Sequence, residues 1–149
     1  MFNKILKGIF NKNNNSKPDW EGYKEKYGKN NIESIYKDIL MAQQIKREGN
    51  FEGANLIYIR LNNKYGKNPA ILKSWGKTLI CLLEYEDAIN KFEEACEMYK
   101  EFKIKDECLQ CDIHINHIRS RYDNPEFFKK WVSDISGKAI HAKDVKLNK

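Results

Sequence analysis

A repeat with a period of 34 residues runs through the middle of the chain and limits the folds that the chain can adopt. The stretch NFEGANLIYIRLNNKY, residues 50–65, returns in altered form as EYEDAINKFEEACEMY, residues 84–99. Small residues fall on small ones and aromatic on aromatic, in the pairs Ala42 and Gly76, Phe51 and Tyr85, Ala54 and Ala88, Tyr58 and Phe92, and Tyr65 and Tyr99. A fixed period of this size is typical of folds that stack one structural repeat on the next.

Each repeat unit is predicted to form two amphipathic helices. In the second unit, the two apolar stripes consist of Leu72, Trp75, Leu79 and Leu82, and of Ala88, Phe92, Ala95 and Tyr99. Both stripes have helical spacing, and residues 84–87 are predicted to form the turn between them. Pro69 suits the first turn of the first helix, with Asn68 as the capping residue before it. The small residues let two antiparallel helices approach closely, while large neighbours fill the space beside them.

These residues resemble the motif of the tetratricopeptide repeat family. The match is carried in the second unit by Leu72, Trp75, Gly76, Leu79, Ala88, Phe92 and Ala95, and in the first unit by Ala42, Ile45, Ala54, Tyr58 and Leu61. The resemblance covers residues 33–102. It implies an all-α fold, a short tetratricopeptide-type solenoid of helical hairpins with about two good repeats.

A degenerate third unit follows the two repeats. The first stripe of this unit is Ile104, Cys108, Cys111, Ile115, Ile118 and Tyr122, and the second is Phe128, Trp131, Val132 and Ile135. Asn124 and Pro125 have the residue types of a cap and a first helical turn, and Gly137 is expected to end the second helix. Because terminal repeats are atypical, we expect residues 104–136 to form a third helix pair that closes the stack.

The resemblance also implies a binding surface. In the tetratricopeptide fold, the first helices of successive repeats line a concave groove that takes a peptide or a partner helix. By position, the groove residues are Tyr36, Ile39, Gln43, Lys46 and Arg47 in the first unit, and Ala70, Lys73, Lys77, Ile80 and Cys81 in the second. This implies a non-catalytic protein–protein interaction module, an adaptor or scaffold, whose lysines suit an acidic or C-terminal peptide.

The N-terminal residues offer a second candidate binding face. Its apolar members are Phe2, Ile5, Leu6, Ile9 and Phe10. They follow the spacing of one helical stripe with lysines off it, so residues 1–12 are predicted to be a basic amphipathic segment. Residues 13–31 are predicted to be a polar linker. Three uses of the segment stay open: docking on the chain's own groove or stack end, docking on a partner, or lying on an anionic membrane surface.

Residues 108–117 read CLQCDIHINH and contain the ligand types of a zinc site. In a helix, each step of three residues turns by about 300°, so Cys108 and His117 face opposite ways and cannot share one tetrahedral metal ion. We therefore predict two core thiols and no metal site. No glycine-rich phosphate loop, nucleophile elbow or paired-acid motif is present, so we expect no enzymatic activity and no cofactor. The acids Glu93, Glu94, Glu97 and Glu101 are expected to form a solvated helix face.

The net charge of +6 is concentrated at the two ends of the chain. Residues 1–31 carry seven lysines and three acids, residues 126–149 carry six lysines and three acids, and residues 32–125 carry 14 basic and 15 acidic side chains. The alternative functions are therefore a nucleic-acid-associated protein that uses its basic ends, and a peripheral membrane adaptor that uses residues 1–12. Aromatic residues beside lysines support the first alternative weakly, namely Trp20, Tyr23 and Tyr27.

The division of the chain and its compartment follow from the same features. Residues 32–136 are taken as the repeat domain and residues 137–149 as a basic C-terminal tail. No apolar run approaches the roughly 20 residues that span a bilayer, and no signal-peptide cleavage site is present. We therefore expect a cytoplasmic protein with four reduced cysteines. An apolar end of such a short stack is available for self-association, so the oligomeric state stays open.

The substitution Ala88→Leu tests the repeat register. At a position where two helices meet closely, the larger side chain overpacks the contact, and we expect the free energy of unfolding to fall by about 1–3 kcal/mol. Denaturant unfolding measures this change. An unchanged free energy of unfolding would contradict the register.

Overall fold

A computed structural model describes residues 17–149, and these residues form α-helices without a β-strand. The helices are α1 (Trp20–Tyr27), α2 (Lys29–Arg47), α3 (Phe51–Tyr65), α4 (Pro69–Cys81), α5 (Tyr85–Glu101), α6 (Lys105–Arg119) and α7 (Pro125–Ile135), followed by a short 3-10 helix at Ala142–Asp144. The predicted all-α class is confirmed for this part of the chain. None of its helices has the length and apolar content needed to cross a membrane.

The central helices form two pairs, α2 with α3 and α4 with α5, and the pairs repeat one burial pattern. The buried side chains of α3 are Ala54, Tyr58 and Leu61, and those of α5 at the equivalent positions are Ala88, Phe92 and Ala95. The predicted cap of α4 is confirmed, because the Asn68 side chain accepts hydrogen bonds from the backbone N–H groups of Ala70 and Ile71 at 2.9 and 3.3 Å. Residues that are 34 positions apart in the sequence are therefore buried at equivalent positions in the two helix pairs.

Gly76 of α4 lies in close contact with Phe92 of α5. A Cβ atom added at Gly76 would lie 2.8 Å from the ring of Phe92, which is fully buried. A hydrogen atom in place of the side chain therefore allows the ring to rest against the α4 backbone. On the other side of α4, Trp75 Nε1 donates to Asn55 Oδ1 of α3 at 2.7 Å and ties the two repeats together.

The turn between α4 and α5 lies earlier in the chain than predicted. The sequence predicts a turn at residues 84–87, whereas α5 already begins at Tyr85. The chain reverses at residues 82–84, where Leu83 has a left-handed backbone with φ of 62°. Glu86 and Asp87 lie in the first turn of α5 because negative charge is favourable at the amino end of a helix.

Part of the predicted polar linker is helical, so the prediction for residues 13–31 is wrong over residues 20–27 and 29–31. Tyr23 of α1 is only 6% exposed and packs against the rings of Tyr99 and Phe102. The Asp19 N–H also donates to the Phe102 carbonyl at 2.7 Å. These contacts fix α1 over the junction of α5 and α6. Gly28, with φ of 81°, separates α1 from α2.

The structure has both helices predicted over residues 104–136, and α7 begins at Pro125 with Asn124 as its cap, as predicted. The backbone of α7 comes close to the carboxyl end of α4 and to the 3-10 helix, and its Trp131 ring contacts His117 of α6. It therefore packs differently from α3 and α5. The period of 34 places Gln110 and Tyr122 where the two earlier pairs have small residues. Without small residues at these positions, a second helix cannot pack on α6 as closely as α5 packs on α4.

The C-terminal residues 137–149 are part of the folded body, so their prediction as a basic tail is wrong. Val145 is buried, and the Tyr85 hydroxyl donates to the Lys146 carbonyl. Arg121 Nε donates to the Leu147 carbonyl at 2.7 Å. The two backbone carbonyls thus accept hydrogen bonds from Tyr85 of α5 and from Arg121, which follows α6. These hydrogen bonds hold the C-terminal segment against the helices.

The substitution Gly76→Ala tests the contact between α4 and α5. Alanine in place of glycine normally stabilises a helix interior by about 1 kcal/mol. Here the new methyl group must displace a buried ring, so we expect the free energy of unfolding to fall by about 1–3 kcal/mol. Denaturant unfolding of Gly76→Ala, of Phe92→Leu and of the double variant measures the coupling between the two positions. The free energy of unfolding of the double variant should fall by less than the sum of the losses in the two single variants. A more stable Gly76→Ala variant would refute the contact.

Candidate functional site

A concave groove lies between α1, α2 and α4 and encloses a cavity of about 310 Å³. Its walls are mostly apolar on α1 and α2 and cationic on α4. The residues that line the cavity are Trp20, Tyr23, Ile32, Ile35, Tyr36, Ile39, Leu40, Gln43, Asn68, Ala70, Lys73, Ser74, Lys77, Tyr99 and Glu107. A cavity of this size with a few polar groups is large enough for one or two side chains of a ligand.

The spacing of residues along α2 explains its wall. This helix buries Ile35, Ile39 and Ala42, and each buried residue is followed by one that turns toward the groove. Adjacent helical positions differ by about 100°, so the second row lies beside the first. It includes Tyr36 and Leu40, which are 61% and 50% exposed. Large apolar side chains thus line the mouth of the cavity in contact with solvent.

The wall on α4 carries two lysines one helical turn apart. Lys73 is buried, and its ammonium group donates to the Glu107 carboxylate at 2.6 Å and to the Gln110 side chain. Lys77 is half-buried and has no ion pair among residues 17–149. Burial, with Lys73 and Lys46 nearby, lowers the pKa of Lys77 to about 8. In the cationic wall, the ammonium group of Lys73 is therefore paired with a carboxylate, whereas that of Lys77 is not.

The structure brings most of the predicted groove residues together. Those that line the cavity are Tyr36, Ile39, Gln43, Ala70, Lys73 and Lys77. Lys46 is buried on the neighbouring part of α2, and burial lowers its pKa. Arg47 packs on Gly137, where an added Cβ would lie 2.6 Å from its Cγ. Ile80 and Cys81 are wrong as groove residues, because both lie in the buried core under α7.

The predicted N-terminal docking face lies outside the described residues. Its members, Phe2, Ile5, Leu6, Ile9 and Phe10, belong to residues 1–16. The three uses that the sequence leaves open for residues 1–12 therefore stay predictions.

Several residues of the groove were not predicted. Trp20 is 44% exposed at the cavity mouth, Leu40 lies on the exposed row of α2, and Glu107 comes from α6. The aromatic residues of α1, at positions 20, 23 and 27, follow the spacing of one helical face and could have indicated a helix. The sequence also indicated Leu40, because it follows Tyr36 by one helical turn and therefore lies on the same face of α2.

The cysteines divide into one bonded pair and two buried thiols. Cys96 of α5 and Cys108 of α6 form a disulfide, with 4.3 Å between their Cα atoms, so the prediction of four reduced thiols is wrong for this pair. Cys81 and Cys111 are free and buried, and burial raises the pKa of each thiol to about 11. The ligand atoms of Cys96, Cys108 and Asp112 lie within 4.8 Å of one another, but the disulfide leaves that cluster without a thiolate.

The two histidines of α6 are packed among aromatic rings that include Trp131 of α7. The His114 ring centroid lies 5.1 Å from that of Phe92 and 5.5 Å from that of Trp131. The His117 ring lies 4.9 Å from Trp131. Burial, together with Lys77 and Lys73, lowers the pKa of His114 to about 4, and burial also lowers the pKa of His117. Neutral imidazole rings therefore form the contact between α6 and α7.

The charged and aromatic residues considered for other functions have structural partners. The acids of α5 form ion pairs, Glu93 with Arg119, Glu94 with Lys67, Glu97 with Lys100 and Glu101 with Lys26. These pairs are largely exposed, as expected for a solvated face, and contribute little to stability. Of the aromatic residues proposed for base stacking, Tyr23 is buried, and Trp20 faces the groove.

No protein-family model, curated protein or solved structure matches this chain. The groove is therefore interpreted from its own geometry, and the tetratricopeptide resemblance of residues 33–102 stays a prediction from their spacing.

The packing of His114 makes the fold sensitive to acid. Because its pKa is about 4 in the folded chain and near 6.5 when unfolded, folding favours the neutral ring. The stability from this group is complete above about pH 6.5 and is lost as the pH falls toward 4. Between pH 7 and pH 5, we expect the free energy of unfolding of His114→Phe to fall by about 1–2 kcal/mol less than that of the parent. Denaturant unfolding at both values measures this, with the exposed His141→Phe as control. Equal losses in parent and His114→Phe would refute the explanation.

Proposed function

We propose that this chain is a non-catalytic interaction module that holds a peptide segment or a partner helix in the groove between α1, α2 and α4. The observation that carries the proposal is the row of exposed apolar side chains at the cavity mouth, Trp20, Tyr36 and Leu40. Single exposed apolar residues are ordinary, but a group of them around a concave cavity is typical of a binding site. A ligand that covers this row removes its apolar surface from water.

We further propose that α2 to α5 are two units of the tetratricopeptide type and that the groove is their concave side. The period of 34 residues, the equivalent burial in α3 and α5, and the small residues at the helix contacts support this assignment. In this arrangement α2 and α4 are the first helices of the two units. These are the helices that carry Tyr36, Leu40 and Lys77 into the groove.

The non-catalytic character of the proposal has support from side chains in the described residues. The thiols of Cys81 and Cys111 are buried and protonated at neutral pH, so they are poor nucleophiles. His114 and His117 pack against aromatic rings, and no described group accepts from or donates to their Nδ1 atoms. A histidine held in this way has no partner to orient it for proton transfer.

A matched pair of leucines tests the proposed groove. Leu40 is 50% exposed at the cavity mouth, and Leu56 is 54% exposed on α3 away from it. We expect a library of random twelve-residue peptides displayed on phage to yield sequences that bind the full chain. Leu40→Asp should weaken their binding by about tenfold or more, because a carboxylate replaces apolar surface that the ligand covers. Leu56→Asp should bind as the parent does.

Fluorescence anisotropy with synthetic copies of the selected peptides measures these affinities, and circular dichroism shows that both variants fold. Failure to select any peptide over successive rounds would refute a peptide-binding groove. Equal losses of peptide affinity in Leu40→Asp and Leu56→Asp would show that the peptides bind elsewhere on the chain.

A further inference from the structure

We propose that the groove selects acidic partners, and that Lys77 is the residue that recognises them. This inference rests on the proposed function and names the chemistry of its ligand. The occupant is a peptide segment with a large apolar side chain for the cavity and aspartate or glutamate side chains beside it.

The first argument is an imbalance of charge around the cavity. Lys73 and Lys77 lie one turn apart on α4 and both line the cavity, Lys73 buried and Lys77 half-buried. The acid that opposes them there is Glu107 of α6. Glu107 pairs with Lys73, so the half-buried ammonium group of Lys77 lies beside a second cation without a counter-ion of its own among the described residues, and an incoming carboxylate stabilises it.

The second argument is that Glu107 is already engaged. Its carboxylate accepts from the buried ammonium of Lys73 at 2.6 Å, and the Gln110 side chain accepts from the same group. Lys73 is therefore fixed between α4 and α6 as a structural residue. Lys77 lines the cavity and forms no ion pair among residues 17–149, so it is the cation there that a ligand can use.

The third argument is the position of the apolar wall. Lys77 lines the same cavity as Tyr36 and Leu40, which lie on the opposite helix. A ligand side chain on that wall places the neighbouring residues of its backbone next to α4. An aspartate or glutamate beside the apolar side chain of the ligand therefore lies next to Lys77. Charge-assisted hydrogen bonds of this kind are stronger than neutral ones.

The composition of selected peptides tests the inference. Phage-displayed peptides have blocked carboxyl ends, so acidic residues in them are internal. We expect the twelve-residue sequences selected on the full chain to be enriched in aspartate and glutamate next to an aromatic or large aliphatic residue. Selection of peptides without acidic enrichment would overturn the inference while leaving the proposed function intact. Selection of no peptide would remove both.

Substitution of Lys77 locates the recognition. We expect Lys77→Gln to weaken binding of a selected acidic peptide by about tenfold, because it removes a charge-assisted hydrogen bond. Lys77→Arg should retain most of the affinity, and Lys64→Gln, an exposed lysine on α3, should retain all of it. The parent should also bind less tightly in 0.5 M than in 0.05 M sodium chloride, since salt screens the attraction.

Two results would overturn the assignment of Lys77. One is parental affinity in Lys77→Gln. The other is equal affinity of a selected peptide and of its copy with asparagine and glutamine in place of aspartate and glutamate, because the acidic side chains would then not be the recognised groups.

Discussion

The contact between Gly76 and the ring of Phe92 holds α4 against α5, and the other helices are arranged around this pair. On one side α3 and α2 pack on α4, and on the other α6 packs on α5. The two terminal helices also depend on it, because α1 rests on Tyr99 and Phe102 at the carboxyl end of α5 and α7 rests on α4. The helix pair at the centre of the fold therefore packs closely at a residue without a side chain.

The same arrangement determines where charge is tolerated. Burying an ammonium group is unfavourable unless a carboxylate or several polar groups compensate for it. Lys73 meets this condition through Glu107 and Gln110, and it joins α4 to α6 where their backbones diverge. Lys77, one turn further along, does not meet it within the described residues. Local departures from the usual rule of compensation are concentrated at functional sites, and this lysine lines the same cavity as the exposed Tyr36 and Leu40.

The sequence predicts the central helices well because their residues repeat. A buried residue in α3 has a buried counterpart in α5, so a single pattern specifies both, and Asn68 and Asn124 mark helix starts through local chemistry alone. The position of α7 could not be predicted in this way. Its stripe of Phe128 and Val132 shows which face is apolar, but not which surface that face covers.

Features that depend on distant residues were missed for the same reason. The helix α1 is polar along most of its length, and Tyr23 becomes a core residue only because Tyr99 and Phe102 lie above it. Cys96 and Cys108 are 12 residues apart, and the turn between α5 and α6 brings them together. Of the groove, the apolar and cationic positions on α2 and α4 follow from the repeat, whereas the wall formed by Trp20 depends on tertiary packing.

The row of α2 residues that turns toward the groove also limits the length of ligand that contacts it. This row runs from Tyr36 to Gln43, and at about 1.5 Å per helical residue it is about 10 Å long. An extended chain advances about 3.3 Å per residue, so about three consecutive ligand residues contact this wall. A three-residue motif recurs by chance in many proteins. Selectivity for one of them would then come from avidity, with partners that carry several such motifs on one chain gaining affinity from their high effective concentration.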